Sequence, residues 1–257
     1  MAAGHEFVAR DFPIAFAHRG GAREAPENTM EAFRYAASLG FGYFETDAQL
    51  TADGIPIAFH DPQIDRVTDR TGAISDMTWD ELRDLTIHRE INGGGHLATI
   101  QQLLEELPRH FFNIDAKSAE VVAPLVDTVV AANALNRVCF ASFFDHRLGT
   151  IRKLGGPETC TSAGPFEVAT SFVQSLFGRA SATGRPQQVP SRVYKFPVVT
   201  KRFVDFAHEM GSHVHVWTID DTNEMHRLLD LGVDGIMTDR PTVLRQVLIE
   251  RGQWEEH

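Results

Sequence analysis

Short apolar runs alternate with helix-spaced apolar positions along most of the chain. Residues 14–17, Ile-Ala-Phe-Ala, read as a strand. Residues 28–39 read as a helix, with Met30, Phe33, Ala36 and Ala37 at helical spacing and Gly40 as its stop. Residues 42–50 are strand-like again, and 55–59 form a further extended piece after the turn signal Asp53-Gly54. The pattern predicts more strands at 111–116, 138–141, 159–163, 213–218 and 235–237. Helical patterns follow at about 119–133, 145–154, 201–210, 222–231 and 241–250.

Repeated strand-then-helix units imply parallel strands joined by right-handed crossovers. With 257 residues and roughly eight such units, a closed (β/α)8 TIM barrel fits better than an open doubly wound sheet. Two stretches break the alternation. Residues 61–98 are polar and irregular, end in Asn92-Gly93-Gly94-Gly95, and read as a small insertion after the second strand. The expectation is therefore a single domain over residues 1–257. Residues 164–195 combine an amphipathic piece (Phe166, Val168, Phe172, Val173, Leu176, Phe177) with a loop rich in Gly, Pro and Gln. The expected place of that piece is a helix packed on the barrel. The alternative sets it beside the mouth, against the apolar part of a ligand.

Composition adds constraints. The chain is 43% hydrophobic and 23% charged, an ordinary globular balance that excludes disorder and collagen-like repeats. Its formal charge of −11 argues against nucleic acid and anionic membrane surfaces as partners. An anionic substrate would need a local cation or a bound metal. Two cysteines, Cys139 and Cys160, support neither a disulfide framework nor a multi-cysteine zinc site. No basic start precedes an apolar stretch, and no run of about 18 apolar residues occurs. These features lead to the expectation of a cytoplasmic protein without stable membrane insertion.

The predicted strand ends are polar. The first runs into His18-Arg19-Gly20-Gly21, and the second carries Glu45 and Asp47, two apart and so on one face. The extended piece after it ends in His60-Asp61, the third strand carries Asp115 and Lys117, and the seventh ends at Trp217. In such a barrel the C-terminal strand ends bear the chemistry. A carboxylate inside a strand is costly unless paired or metal-bound. Glu45, Asp47 and Asp115 at one mouth would form an all-oxygen site suited to Mg2+ or Ca2+ rather than zinc. His213 and His215 form an H-x-H pair, but on the seventh strand rather than the first, so the reading for them is structural, with His215 expected near the mouth. Asn92 to Gly95 lacks the helix-opening pattern of a nucleotide loop.

The run Ala17-His18-Arg19-Gly20-Gly21, then Pro26-Glu27-Asn28-Thr29, Glu45-Thr46-Asp47 and Phe59-His60-Asp61, closely resembles the glycerophosphodiester phosphodiesterase family. Later pieces agree: Asn113-Ile114-Asp115-Ala116-Lys117, Ser142-Phe143, Val216-Trp217-Thr218 and the run from Gly232 to Pro241. The resemblance covers roughly residues 14–241. It implies a TIM barrel with a small insertion, and metal-dependent hydrolysis of glycerophosphodiesters to glycerol 3-phosphate and an alcohol. It gives His18 and His60 the general acid and base roles. Glu45, Asp47 and Asp115 become metal ligands, Arg19 and Lys117 phosphate contacts, and Trp217 the residue packing on glycerol. One departure is Asp115, where the family commonly has Glu. Two other readings compete: lysophospholipase D-type activity on single-chain lysophospholipids, and a catalytically silent barrel that binds a phospho-ligand. Both histidines together with all three carboxylates argue against the silent barrel.

Overall fold

The protein is described from a computed structural model that covers residues 5–10, 12–87, 93–177 and 184–257. Eight parallel strands form one curled sheet: β1 (Ile14–His18), β2 (Tyr43–Leu50), β3 (Phe111–Ala116), β4 (Val138–Ala141), β5 (Cys160–Thr161), β6 (Gln187–Pro190), β7 (Val214–Trp217) and β8 (Gly235–Thr238). Each is followed by a helix: α1 (Met30–Ser38), α2 (Ile100–Glu106), α3 (Val122–Ala131), α4 (Asp145–Gly155), α5 (Pro165–Phe177), α6 (Lys201–Glu209), α7 (Thr222–Asp230) and α8 (Pro241–Glu250). The expected (β/α)8 TIM barrel is the fold.

The ladder runs β5-β4-β3-β2-β1-β8-β7-β6. Its two ends meet where the Ala163 N–H donates to Pro186 O at 2.9 Å. The sixth strand lies inside the stretch expected to be a loop. Its sequence, Gln-Gln-Val-Pro, lacks an apolar alternation because Gln188 points across the barrel and donates to Asn113 Oδ1 at 2.7 Å. Helix α2 was also illegible as a periodic pattern. It is only seven residues long, and it starts at a capping box in which Thr99 and Gln102 each satisfy the other's backbone N–H.

The pleat sorts each strand into two faces. Phe44, Phe112, Ile114 and Phe140 pack outward with Phe33, Leu103, Val126 and Leu148 of the helices. Inside, the lower half of the barrel is filled by Phe16, Tyr43, Phe111 and Met237, and the N-terminal turn Glu6–Val8 seals the floor with Phe7. Tyr43 and Phe111 stack there with centroids 4.6 Å apart. His215 belongs to this floor and not to the mouth. It is fully buried, 5.0 Å from the Phe16 ring, and burial holds its pKa well below the usual histidine value.

Between β2 and α2 the chain is better organised than its polarity suggests. Pro56–Ala58 pairs antiparallel with β2, and Ile57, Ile64, Ile74, Leu82 and Leu97 bury one another in a separate apolar cluster. Asn92 of the expected glycine loop lies outside the described residues.

Candidate active site

The parallel register sets the site. It places His18 beside Glu45, and Asp47 beside Asp115. Because inward positions on a strand repeat every two residues, Glu45 and Asp47 rise above Tyr43, and Asp115 rises above Phe111 and Asn113. The chain leaves β1 through Arg19, Gly20 and Gly21, with φ of +52°, +78° and +97°. Gly20 is required there, since a Cβ would stand 2.6 Å from Ala32 Cβ.

Asp47 is the most heavily compensated acid. Lys117 Nζ lies 2.8 Å from its Oδ1, and Asn28 Nδ2 donates to its Oδ2 at 3.0 Å. Arg19 Nε is an ion pair with the same Oδ2 at 3.0 Å, at an angle that makes no hydrogen bond. Burial alone would raise the Asp47 pKa, but Lys117 and Arg19 outweigh it and hold the carboxyl below its ordinary range. Asp115 accepts from Lys117 Nζ at 2.6 Å, yet burial dominates and its pKa is raised. Burial pushes Glu45 up to about 7, against the pull of His18.

The two histidines are held alike. His18 Nδ1 lies 2.6 Å from Asp239 Oδ1, and His60 Nδ1 lies 2.6 Å from Asp61 Oδ1. Burial disfavours the charged form of His18, but Glu45 and Asp239 outweigh it and raise its pKa. Asp61 is braced in turn by Arg66, whose guanidinium also grips Glu27, and Glu27 accepts from Arg19 Nη1 at 3.1 Å.

All eight expected residues face one cavity of about 680 Å³ at the C-terminal strand ends. Its floor is charged. Its wall is apolar, made by Phe143, Val168, Phe172 and Val173 with Val193 and Phe196, and Trp217 stands edge-on to Phe143 at 5.6 Å. Helix α5 thus does both things considered for it: Phe172 packs on Phe203 of α6, and Val173 faces the cavity.

The partners Asp239, Asn28, Glu27 and Arg66 carry no role on sequence reasoning alone. Asn28 reads there as the first residue of α1. In the structure it has a φ of +57° and precedes the Thr29 cap. Asn tolerates that region better than other non-glycine residues, which was the available signal.

Glu45 Oε2 and Asp115 Oδ1 are buried acceptor oxygens without a hydrogen-bond partner. That under-compensation, in an all-oxygen donor set, fits a hard divalent cation. As arranged, no three His, Cys, Asp or Glu groups among the described residues are gathered to hold one; Lys117 Nζ sits between Asp47 and Asp115 instead.

Comparison with known proteins decides the family. Residues 18–243 match the model of the glycerophosphoryl diester phosphodiesterase family. The chain belongs to that family of enzymes. It is 36% identical to the "Probable glycerophosphodiester phosphodiesterase 2" of Mycobacterium tuberculosis, over 97% of this chain and 96% of the relative. It is 28% identical to a glycerophosphodiester phosphodiesterase of Caldanaerobacter subterraneus, over 93% and 99% of the two chains. A solved phosphodiesterase from Oleispira antarctica, in complex with the product sn-glycerol-3-phosphate, shares the fold with a TM-score of 0.74 at 22% identity, covering 93% of this chain and 97% of its own.

Proposed function

We propose that the chain hydrolyses glycerophosphodiesters to glycerol 3-phosphate and an alcohol, with His18 and His60 moving the protons. The observation that carries this reading is the repeated device of an imidazole whose Nδ1 is held by a carboxylate, once by Asp239 and once by Asp61. Such a bond fixes ring orientation and leaves Nε2 for proton transfer. One histidine takes a proton from the attacking hydroxyl while the other gives one to the leaving alkoxide. The attacker is water or the neighbouring hydroxyl of the glycerol; in the second case loss of the alkoxide leaves a cyclic phosphate, which water then opens to glycerol 3-phosphate. Arg19 and Lys117 contact the phosphoryl oxygens and stabilise the charge that grows on them. Trp217 packs on the glycerol moiety.

Glu45, Asp47 and Asp115 would hold Mg2+ or Ca2+, which when bound polarises the phosphoryl group as a Lewis acid. The deciding experiment measures glycerol 3-phosphate release from glycerophosphocholine with and without EDTA. Release that stops on chelation and returns with Mg2+ or Ca2+ is the expected result. Full activity in metal-free protein would overturn the metal assignment, and no release with any divalent cation would overturn the substrate class.

A second reading is lysophospholipase D-type cleavage of single-chain lysophospholipids. It is favoured by the apolar wall that continues from the charged floor, since Val173 and Phe196 line the same cavity as Lys117. Choline release from lysophosphatidylcholine, compared with glycerophosphocholine, separates the two.

A further inference from the structure

The apolar wall continues beyond the mouth of the cavity. On α5, Phe166 and Phe177 are 75% and 73% exposed, and they share a helical face with Val173. The hairpin formed by Arg192–Val193 and Phe196–Pro197 adds Phe196, 78% exposed, and Tyr194, 96% exposed. Exposed apolar side chains gathered at the rim of a cavity in this way mark an interaction site. Tyr194 occupies the hairpin turn with a φ of +53°, a region that a bulky residue adopts only at a cost. The chain accepts that cost without burying the ring. An aromatic with a polar tip projected in this way suits the headgroup level of a bilayer.

Charge is a second, independent observation. Between Glu167 and Asp205 the sequence has six Lys and Arg residues and no Asp or Glu, in a chain of net charge −11. Arg192, Lys195 and Arg202 among them are exposed beside the aromatic rim, with Arg202 donating to the Ser175 and Leu176 carbonyls of α5; Lys201 is paired with Asp205, and Glu224 lies near Arg192. At physiological salt, charges interact over about 8 Å, so this local sign governs a docking surface and the net charge of the whole chain does not.

We propose that the rim made by α5 and the 192–197 hairpin docks on an anionic lipid bilayer. The aromatic rings lie at headgroup level, the basic side chains face lipid phosphates, and the catalytic cavity opens towards the membrane. The docking is peripheral, since no helix among the described residues is long and apolar enough to cross a membrane. It goes beyond the catalytic reading and is measured without substrate.

The test is co-sedimentation of the full chain with sucrose-loaded vesicles, either phosphatidylglycerol and phosphatidylcholine in equal parts or phosphatidylcholine alone. Each basic side chain near an anionic surface contributes about fivefold in partitioning. The expected result is therefore binding at least about tenfold tighter to the anionic vesicles, weakening as salt is added. Phe166→Asp with Tyr194→Asp should lower that binding by about tenfold or more. It should not lower the melting temperature, since both side chains are exposed, and it should leave the turnover of soluble glycerophosphocholine unchanged, because neither side chain lines the cavity. Arg192→Glu with Lys195→Glu should reduce binding to the level seen on neutral vesicles. Equal partitioning to both vesicle types would overturn the proposal, as would an aromatic variant that binds like the wild type. A dimer that Tyr194→Asp dissolves would assign the rim to a second copy instead. Vesicle binding without any glycerophosphocholine turnover would leave the docking standing and sink the catalytic reading.

Discussion

The two halves of the barrel interior are built on the same strands and hold opposite chemistry. On β2, Tyr43 faces the floor, while Glu45 and Asp47 face the mouth one and two inward steps higher. On β3 the same climb leads from Phe111 to Asp115. The apolar rings of the floor satisfy one another by close packing, around a His215 whose ring nitrogens have no hydrogen-bond partner. The charges at the mouth do not: Glu45 and Asp115 retain buried oxygens without partners. Apolar packing is concentrated at one end of the strands and the proposed site at the other, so substitutions at the two ends should separate stability from activity.

The largest separation is expected from His18→Ala and His60→Ala. Each should lower kcat by about 10²–10⁴-fold, the scale of a lost proton-transfer group, while thermal melting shifts little. Wild-type kcat in either variant would remove that histidine from the mechanism. At the other end, Phe16→Ala should cost about 3–5 kcal/mol in urea unfolding, because the ring is fully buried against Phe7, Tyr43 and His215. Activity per folded molecule should hold. A loss of kcat in that variant would show the two halves to be coupled.

Asn28→Ala should fall between these cases. It removes the bond to Asp47 and places Ala at a φ of +57°, so a stability loss of about 2 kcal/mol should accompany a roughly tenfold fall in kcat. Asn28→Gly, which keeps the backbone conformation at no strain, should recover part of the stability and none of the rate.

The smallest effect concerns Glu167, which anchors α5. Burial would raise its pKa, but the Gly164 N–H and Arg152, with Arg185, outweigh it and lower it. A carboxyl lowered in the folded state adds stability above its unfolded pKa and loses it as pH falls through the folded value. Glu167→Gln should therefore melt slightly earlier at neutral pH, by about 1 kcal/mol or less. The gap should close in acid, and a gap that persisted there would assign the effect to packing.

Seven of the eight barrel strands were legible because apolar inward or outward positions marked them. β6 was not, since Gln187 and Gln188 occupy places where other strands carry apolar groups, and the bond from Gln188 to Asn113 forms only across the closed ring. The eight expected site residues gather at one mouth because each faces inward on a strand or closely follows one, and that is a property of order along the chain. Their supports were hidden for the opposite reason. Asp239 meets His18 from a position 221 residues away, and Arg66 reaches Glu27 from the segment after β2. Such pairings exist only in three dimensions.

The seam between β5 and β6 has a consequence for chain connectivity. Strand order around the ladder, read from β6 through β8 to β1 and on to β5, would match chain order in a permuted protein whose new ends lie between α5 and β6. Phe7 and His257 lie at the same end of the barrel: Phe7 seals the floor, and His257 donates its N–H to Gly40 O. In the natural chain, β1 must find β8, Ile14 against Gly235, across almost the whole sequence. Permutation would turn that pairing into one between neighbouring units. Because distant pairings slow folding through the entropy of closing long loops, the rewired barrel should fold faster.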